Sequence, residues 1–340
     1  MKTHQHIKKS AHQHINIMIE YQQQIEHALK NKKYGSNPKE LYEPIEYMMS
    51  LGGKRLRPVL VFVACEFFGG DTSKALHPAL AIELFHNFTL VHDDIMDKAP
   101  LRRNQSTVHK KWDDNIAILS GDTMLVKAYQ ELCKFDSVVL PKLLELFSDT
   151  AVKVCEGQQL DMNYEKLNKV SIAQYLKMIE LKTAVLLGGS LKIGALIAGA
   201  DEKNAQNIYD FGKHIGIAFQ LQDDILDVYA NEEKFGKQKG GDIVANKKTY
   251  LLLKALEMVE NNRYMKEELH QWIKAPNFDA KEKVNAITGI YNFLNIPELA
   301  RAEMKKHYDM ALTYLNGIDV DDIKKQQLIS FADNLMVREV

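Results

Sequence analysis

At 340 residues, 46% of them apolar and 26% charged, the chain is long enough to bury a sizeable core and too apolar to stay disordered. Its 44 basic and 45 acidic residues leave a net charge of -1, which excludes a chain-wide field for nucleic acid or anionic membrane and makes any anion site local. Cys65, Cys133 and Cys155 are odd in number, widely spaced and outside any CxxC pattern, which speaks against a disulfide framework or a structural zinc site.

The chain starts with a polar stretch, MKTHQHIKKSAHQH, that has no apolar h-region. A mobile tail over 1–14 and a cytoplasmic protein are the expectations. His4, His6, His12 and His14 could chelate a transition metal, but decoration of a polar terminus is the ordinary reading.

Apolar residues then recur at helical spacing, as in Ile45, Met48, Met49 and Leu51. Next comes Gly52-Gly53-Lys54-Arg55-Leu56-Arg57-Pro58, with three cations after a flexible glycine pair and an apolar helix behind Pro58. As a plain turn its charges would be solvated; as an anion pocket its Lys and Arg donors would wrap a phosphate group.

A further apolar run ends at Val91 and opens into HDDIMD, residues 92 to 97. On a helix turning about 100° per residue, Asp93, Asp94 and Asp97 share an arc of about 100°. Arg102 and Arg103 follow, so guanidinium and metal could hold one phosphate together.

Leu140, Leu143, Leu144 and Phe147 continue the helical period. The stretch from Ala184 to Ala200 contains Lys192 and four glycines and is shorter than the roughly 20 residues of a membrane span. It reads as a buried helix with close neighbours. The segment QDDILD, residues 222 to 227, then repeats the first acidic motif 130 positions on, and Asp223, Asp224 and Asp227 form a second patch. A pair of similar sites facing each other would explain the echo.

After it, Lys237, Lys239, Lys247 and Lys248 flank FGKQKGGD, whose Gly236, Gly240 and Gly241 suggest a mobile lid, though an exposed loop would look similar. All eight prolines, Pro38, Pro44, Pro58, Pro78, Pro100, Pro141, Pro276 and Pro297, fall where helices would begin or end. With no linker or sustained period-two alternation, the expectation is one all-α domain over 1–340, a bundle of about a dozen helices.

Carboxylates about 5 Å apart repel by roughly 3 kcal/mol at an effective dielectric of about 20. One DDxxD alone is most simply a solvated helix end. Two with apolar flanks point to cations, and magnesium, held by one or two carboxylates together with substrate phosphates, predicts a diphosphate substrate.

These residues resemble the trans-type isoprenyl diphosphate synthases, or polyprenyl synthetases, from about Tyr42 to the C-terminus. The motifs stand in the family's order: GGKRLRP at 52 to 58, HDDIMD, LRR at 101 to 103, Lys182-Thr183, FQLQDDILD at 219 to 227, GKQKGGD and NKKTY. The resemblance implies an all-helical fold around a deep apolar cavity and head-to-tail transfer of an allylic diphosphate (dimethylallyl, geranyl or farnesyl) to isopentenyl diphosphate.

It further implies that Asp93, Asp94, Asp97, Asp223, Asp224 and Asp227 hold about three magnesium ions. Arg102, Lys182, Lys237 and Lys247 would contact the allylic diphosphate. Lys54, Arg57, His86 and Arg103 look like the isopentenyl diphosphate site, with Arg55 a supporting cation. Thr183 and Gln220 are similar to the polar groups that face the developing carbocation, and the released diphosphate takes the final proton.

Product length in the family is limited by bulk before the first motif. Phe85, Phe88 and Thr89 stand there, and a phenylalanine five residues before Asp93 looks like a short-chain enzyme giving C15 or C20. As plain residues, Phe85 and Phe88 could equally be core. The family also implies a homodimer.

Two departures from the family's pattern are Asn104, where many relatives have glycine, and the missing two-residue insertion of bacterial farnesyl diphosphate synthases. Three other readings rank lower. A terpene cyclase has one aspartate motif, whereas the second here is DDILD beside a full isopentenyl site. A head-to-head synthase of the squalene or phytoene kind would lack GGKRLRP and LRR. A non-catalytic partner subunit would have lost a metal motif.

Overall fold

The computed structural model describes residues 2–135, 138–230 and 239–336, with side chains from Ile17 onward. The fold is all-α, as expected. In chain order come α1 (Lys2–Asn31), α2 (Lys39–Ser50), α3 (Leu56–Phe67), α4 (Leu76–Met96), α5 (Val108–Lys111), α6 (Asp114–Leu132), α7 (Leu140–Lys166), α8 (Ile172–Ile179), α9 (Val185–Ile197) and α10 (Glu202–Tyr229). They are followed by α11 (Gly241–Val244), α12 (Tyr250–Met258), α13 (Arg263–Lys274), α14 (Ala280–Phe293), α15 (Ile296–Asn316) and α16 (Asp322–Met336). The four N-terminal histidines fall on residues whose side chains lie outside the described ones.

Contacts cluster into two compact units. One takes Met1–Ala151, Gly189–Tyr209 and Ile318–Gln327, and the other Val152–Gly188, Asp210–Gly317 and Leu328–Val340. In the first, α4 is buried on nearly every side from Pro78 to Phe88, as befits a helix that is apolar all round. It packs on α3 and α6. Burying a side chain such as Leu84 or Phe85 contributes about 1.5–3 kcal/mol each. The apolar helix expected after Ala184 is α9, and a Cβ on its Gly194 would lie 2.2 Å from the Val61 carbonyl oxygen of α3. Only glycine allows that approach.

In the second unit, Ile217, Leu221, Ile225 and Val228 form one stripe of α10, in a core shared with Tyr250, Leu251, Leu253, Ile287 and Tyr291. A stripe at this spacing turns one face of α10 inward and leaves Asp223 and Asp227 only half-buried.

The structure corrects two sequence expectations. Pro44 lies inside α2 and not at its end; it forgoes one backbone bond while its ring is buried with Ile45 and Met48. Leu101–Arg102 and Gln105–Ser106 form a small antiparallel hairpin, where no strand was expected. Its two central residues, Arg103 and Asn104, have φ of 52° and 61°, the left-handed pair that the tightest hairpin turns require. Asparagine tolerates that conformation better than other side chains with a Cβ, which suits Asn104 to the turn. The turn Glu180–Ala184, between α8 and α9, is widened to π geometry. No helix among the described residues is long and apolar enough to cross a membrane.

Candidate active site

The first unit brings several of its basic motifs together. Gly52 and Gly53, with φ of 75° and 138°, turn the chain so that Arg103 NH1 donates to the Gly52 carbonyl. A Cβ on Gly53 would sit 2.8 Å from Arg103 NH2, so the glycine clears the path for that guanidinium. Arg57 NH1 lies 3.1 Å from His86 Nε2. Arginine can only donate, so Nε2 is the acceptor and the ring proton sits on Nδ1. Burial, then the charges of Arg57, Arg103 and Arg102, hold His86 well below the usual histidine range, which keeps this tautomer neutral. Lys54 is exposed.

Arg55 has a different place from its neighbours. It is buried, its Nε donates to Glu26 Oε1 at 2.8 Å, NH1 to Glu83 Oε1 at 2.6 Å and NH2 to the Met49 carbonyl at 2.8 Å. Asn87 Nδ2 also donates to Glu83 Oε1 at 2.8 Å. Expected as a supporting cation at the substrate, Arg55 instead braces the turn from within.

The three aspartates of the first motif are not equivalent. Asp93 is half-buried and Asp97 exposed, whereas Asp94 is 2% exposed and takes Arg102 as a fork, Nε to Oδ2 and NH2 to Oδ1, both at 2.8 Å. The hairpin thus aims Arg102 back at the motif and Arg103 at the glycine turn.

The second motif repeats this division. Asp223 and Asp227 are half-buried and Asp224 is 4% exposed. Asp224 Oδ2 accepts from the Tyr175 hydroxyl, and Oδ1 from Gln220 Nε2 at 3.2 Å. Thr183 Oγ1 in turn donates to Gln220 Oε1 at 3.3 Å. Burial, then the charge of Asp242, pushes Asp224 up to about 7 against the hydrogen bonds of Tyr175 and Gln220. One Asp227 oxygen accepts the Asp242 amide at 3.0 Å.

Lys182 and Thr183 occupy the π turn, where a widened turn re-aims side chains. A Cβ on Gly157 of α7 would lie 2.2 Å from the Lys182 nitrogen. Lys182 Nζ donates to Asp161 Oδ2 at 2.6 Å. Lys247 is exposed. Lys237, with the first part of the lid expected at FGKQKGGD, lies outside the described residues.

The residues named for chain length sit on α4. Phe85 is 1% and Phe88 8% exposed, and Phe85 packs on Phe147 with ring centres 5.4 Å apart. Phe88 meets the His92 ring at 4.7 Å, and Thr89 Oγ1 donates to the His86 carbonyl at 2.8 Å.

Among the described residues no three His, Cys, Asp or Glu donors form a closed metal cluster. Carboxylates in pairs at i and i+4, all oxygen donors, still fit magnesium, which needs few protein ligands when phosphate and water complete its octahedron.

Sequence reasoning missed Glu26, Glu83, Tyr175, Asp161 and Asp242. Asp161 had one signal, a glycine four residues earlier inside an otherwise helical run. Tyr175 had none, since it reads as part of the apolar face of α8.

The polyprenyl synthetase family model matches residues 38–291. The chain is 44% identical over 224 residues, 65% of its length and 69% of the relative's, to a geranylgeranyl diphosphate synthase of Methanosarcina mazei. It is 34% identical to a short chain isoprenyl diphosphate synthase of Methanothermobacter thermautotrophicus, over 96% of this chain and 98% of the other. A crystal structure of a geranylgeranyl pyrophosphate synthase superposes with a TM-score of 0.86 at 40% identity, covering 98% of this chain and 99% of that one.

Proposed function

The chain belongs to the polyprenyl synthetase family as a short-chain prenyltransferase, and we propose that it condenses isopentenyl diphosphate with an allylic diphosphate to give a C15 or C20 trans-prenyl diphosphate. The names of its geranylgeranyl-type relatives favour C20. The observation that carries the reading is the division within each aspartate motif, with the first and fifth carboxylates reachable and the second buried and partnered.

Asp93, Asp97, Asp223 and Asp227 are the groups that would hold magnesium, about three ions in all by family resemblance. Asp94 and Asp224 act behind them, Asp94 by holding Arg102 and Asp224 by fixing Tyr175 and Gln220. Magnesium, when bound, neutralises charge that builds on the departing diphosphate.

Lys182, Lys237, Lys247 and the guanidinium of Arg102 bind that same diphosphate, while Lys54, Arg57 and Arg103 bind isopentenyl diphosphate, with His86 orienting Arg57. As the allylic C–O bond breaks, its electron pair leaves with diphosphate. Thr183 and Gln220 turn polar atoms toward the cation, the double bond of isopentenyl diphosphate attacks it, and the released diphosphate takes the proton. Phe88 and Phe85 limit the growing chain, with Thr89 leaving room for the longer product.

A homodimer is part of this reading. Leu119 and Val126, seven apart on α6, are 59% and 56% exposed, and Ile118 is 42% exposed beside them. A second copy of the chain would cover that stripe.

The test is elongation of labelled isopentenyl diphosphate with and without chelation of magnesium. Prenyl products that vanish with EDTA and return with magnesium are expected. Elongation that survives EDTA would overturn the metal assignment.

A further inference from the structure

Lys283, on α14, is fully buried, and none of the ion pairs among the described residues includes it. Its Nζ donates to Asn246 Oδ1 at 2.7 Å and to the Val244 carbonyl at 3.3 Å. The ammonium also stands 4.0 Å from the centre of the Phe278 ring, an arrangement that offsets part of its desolvation. A lysine does not stay at 0% exposure without a carboxylate unless its partners are fixed.

Those partners end α11. The Asn246 amide bonds the Ile243 carbonyl at 3.1 Å and the Lys247 amide bonds the Asp242 carbonyl at 2.9 Å, with Asn246 left-handed at φ 53°. This is the Schellman ending, and it leaves the Val244 carbonyl to find another donor. Lys283 supplies it. The Asn246 side chain is held at both ends, since its Nδ2 donates to the Ile273 carbonyl at 3.0 Å. At the other end of α11, the Asp242 amide is bonded to Asp227 Oδ2, and the Gly240 amide to the Asp227 carbonyl at 2.7 Å.

We infer that Lys283 is a positioning residue for diphosphate binding: by capping α11 and locking Asn246 it fixes where Lys247 and the Asp227 carboxylate stand. It touches no substrate. The inference rests on the reading of Lys247 as a ligand of the allylic diphosphate, and Lys283 acts on that one residue and its neighbour in the acidic motif.

The test compares Lys283→Met, which keeps length and apolar packing, with Asn246→Ala and the double variant. Each single variant is expected to raise KM for the allylic diphosphate by about tenfold, the scale on which supporting partners tune a ligating group. KM for isopentenyl diphosphate should stay unchanged, and the double variant should be no worse than either single one. A lowered Tm with both KM values unchanged would overturn the inference, as would equal changes in both. Should Lys283→Met fail to fold, Asn246→Ala alone decides by the same criterion. Hydrogen exchange at the Lys247 amide, read without substrate, should speed up in the variants; unchanged exchange would sink the inference. If the wild-type protein binds no allylic diphosphate, the reading of Lys247 fails, while the exchange result still decides what Lys283 does.

Discussion

Asp93 and Asp94 are neighbours with different surroundings, half-buried against buried, and the roles proposed for them differ measurably. Asp93→Ala removes a reachable carboxylate and should lower turnover by about 10³-fold or more, roughly 4 kcal/mol of transition-state stabilisation, with folding intact. Asp94→Asn keeps shape and one acceptor for Arg102, so its loss should be nearer tenfold. Equal losses from the two variants would remove the distinction between ligand and brace. The sequence showed all six aspartates but not this division, because a helical wheel gives direction and not burial. That Asp94 and Asp224 are spoken for depends on Arg102 and Tyr175, which reach them from other elements. Arg55 was misplaced for the same reason: its partners Glu26 and Glu83 are 29 and 28 residues away.

At the scale of elements, the helices were legible because their apolar period is long and their prolines mostly mark ends. The hairpin at 101–106 was not, since four paired residues carry no alternation to read. Nor was the π turn, which depends on what α7 allows. Gly157 makes the allowance, with a would-be Cβ 2.2 Å from the Lys182 nitrogen and 2.6 Å from its Cα. Gly157→Ala should therefore cost about 1–3 kcal/mol and displace Lys182 and Thr183, lowering turnover more than a surface Gly→Ala does. Unchanged Tm and turnover would show that the turn has slack. The same logic explains Asn104, where the φ of 61° makes the residue type legible only once the hairpin is known.

For the whole molecule, pH dependence offers a check that needs no substrate. Glu131 of α6 is buried, which alone would raise its pKa, yet hydrogen bonds from Lys134, Lys32 and His77 pull it down to about 2. A carboxyl whose folded pKa lies below its unfolded value contributes stability that is present above about 4.3 and lost as pH falls toward 2. Glu131→Gln should lower Tm at pH 7 and converge on the wild type near pH 2. Parallel curves across that window would contradict the charge network. Two compact units, each with one aspartate motif, also give the repeated motif a structural counterpart, since the burial order of the carboxylates is shared between them.

The most direct test of the account is product analysis of the purified protein with magnesium, labelled isopentenyl diphosphate and, in turn, C5, C10 and C15 allylic diphosphates. The account predicts linear prenyl diphosphates that stop at C15 or C20. No elongation, or release of cyclic hydrocarbon, would contradict it.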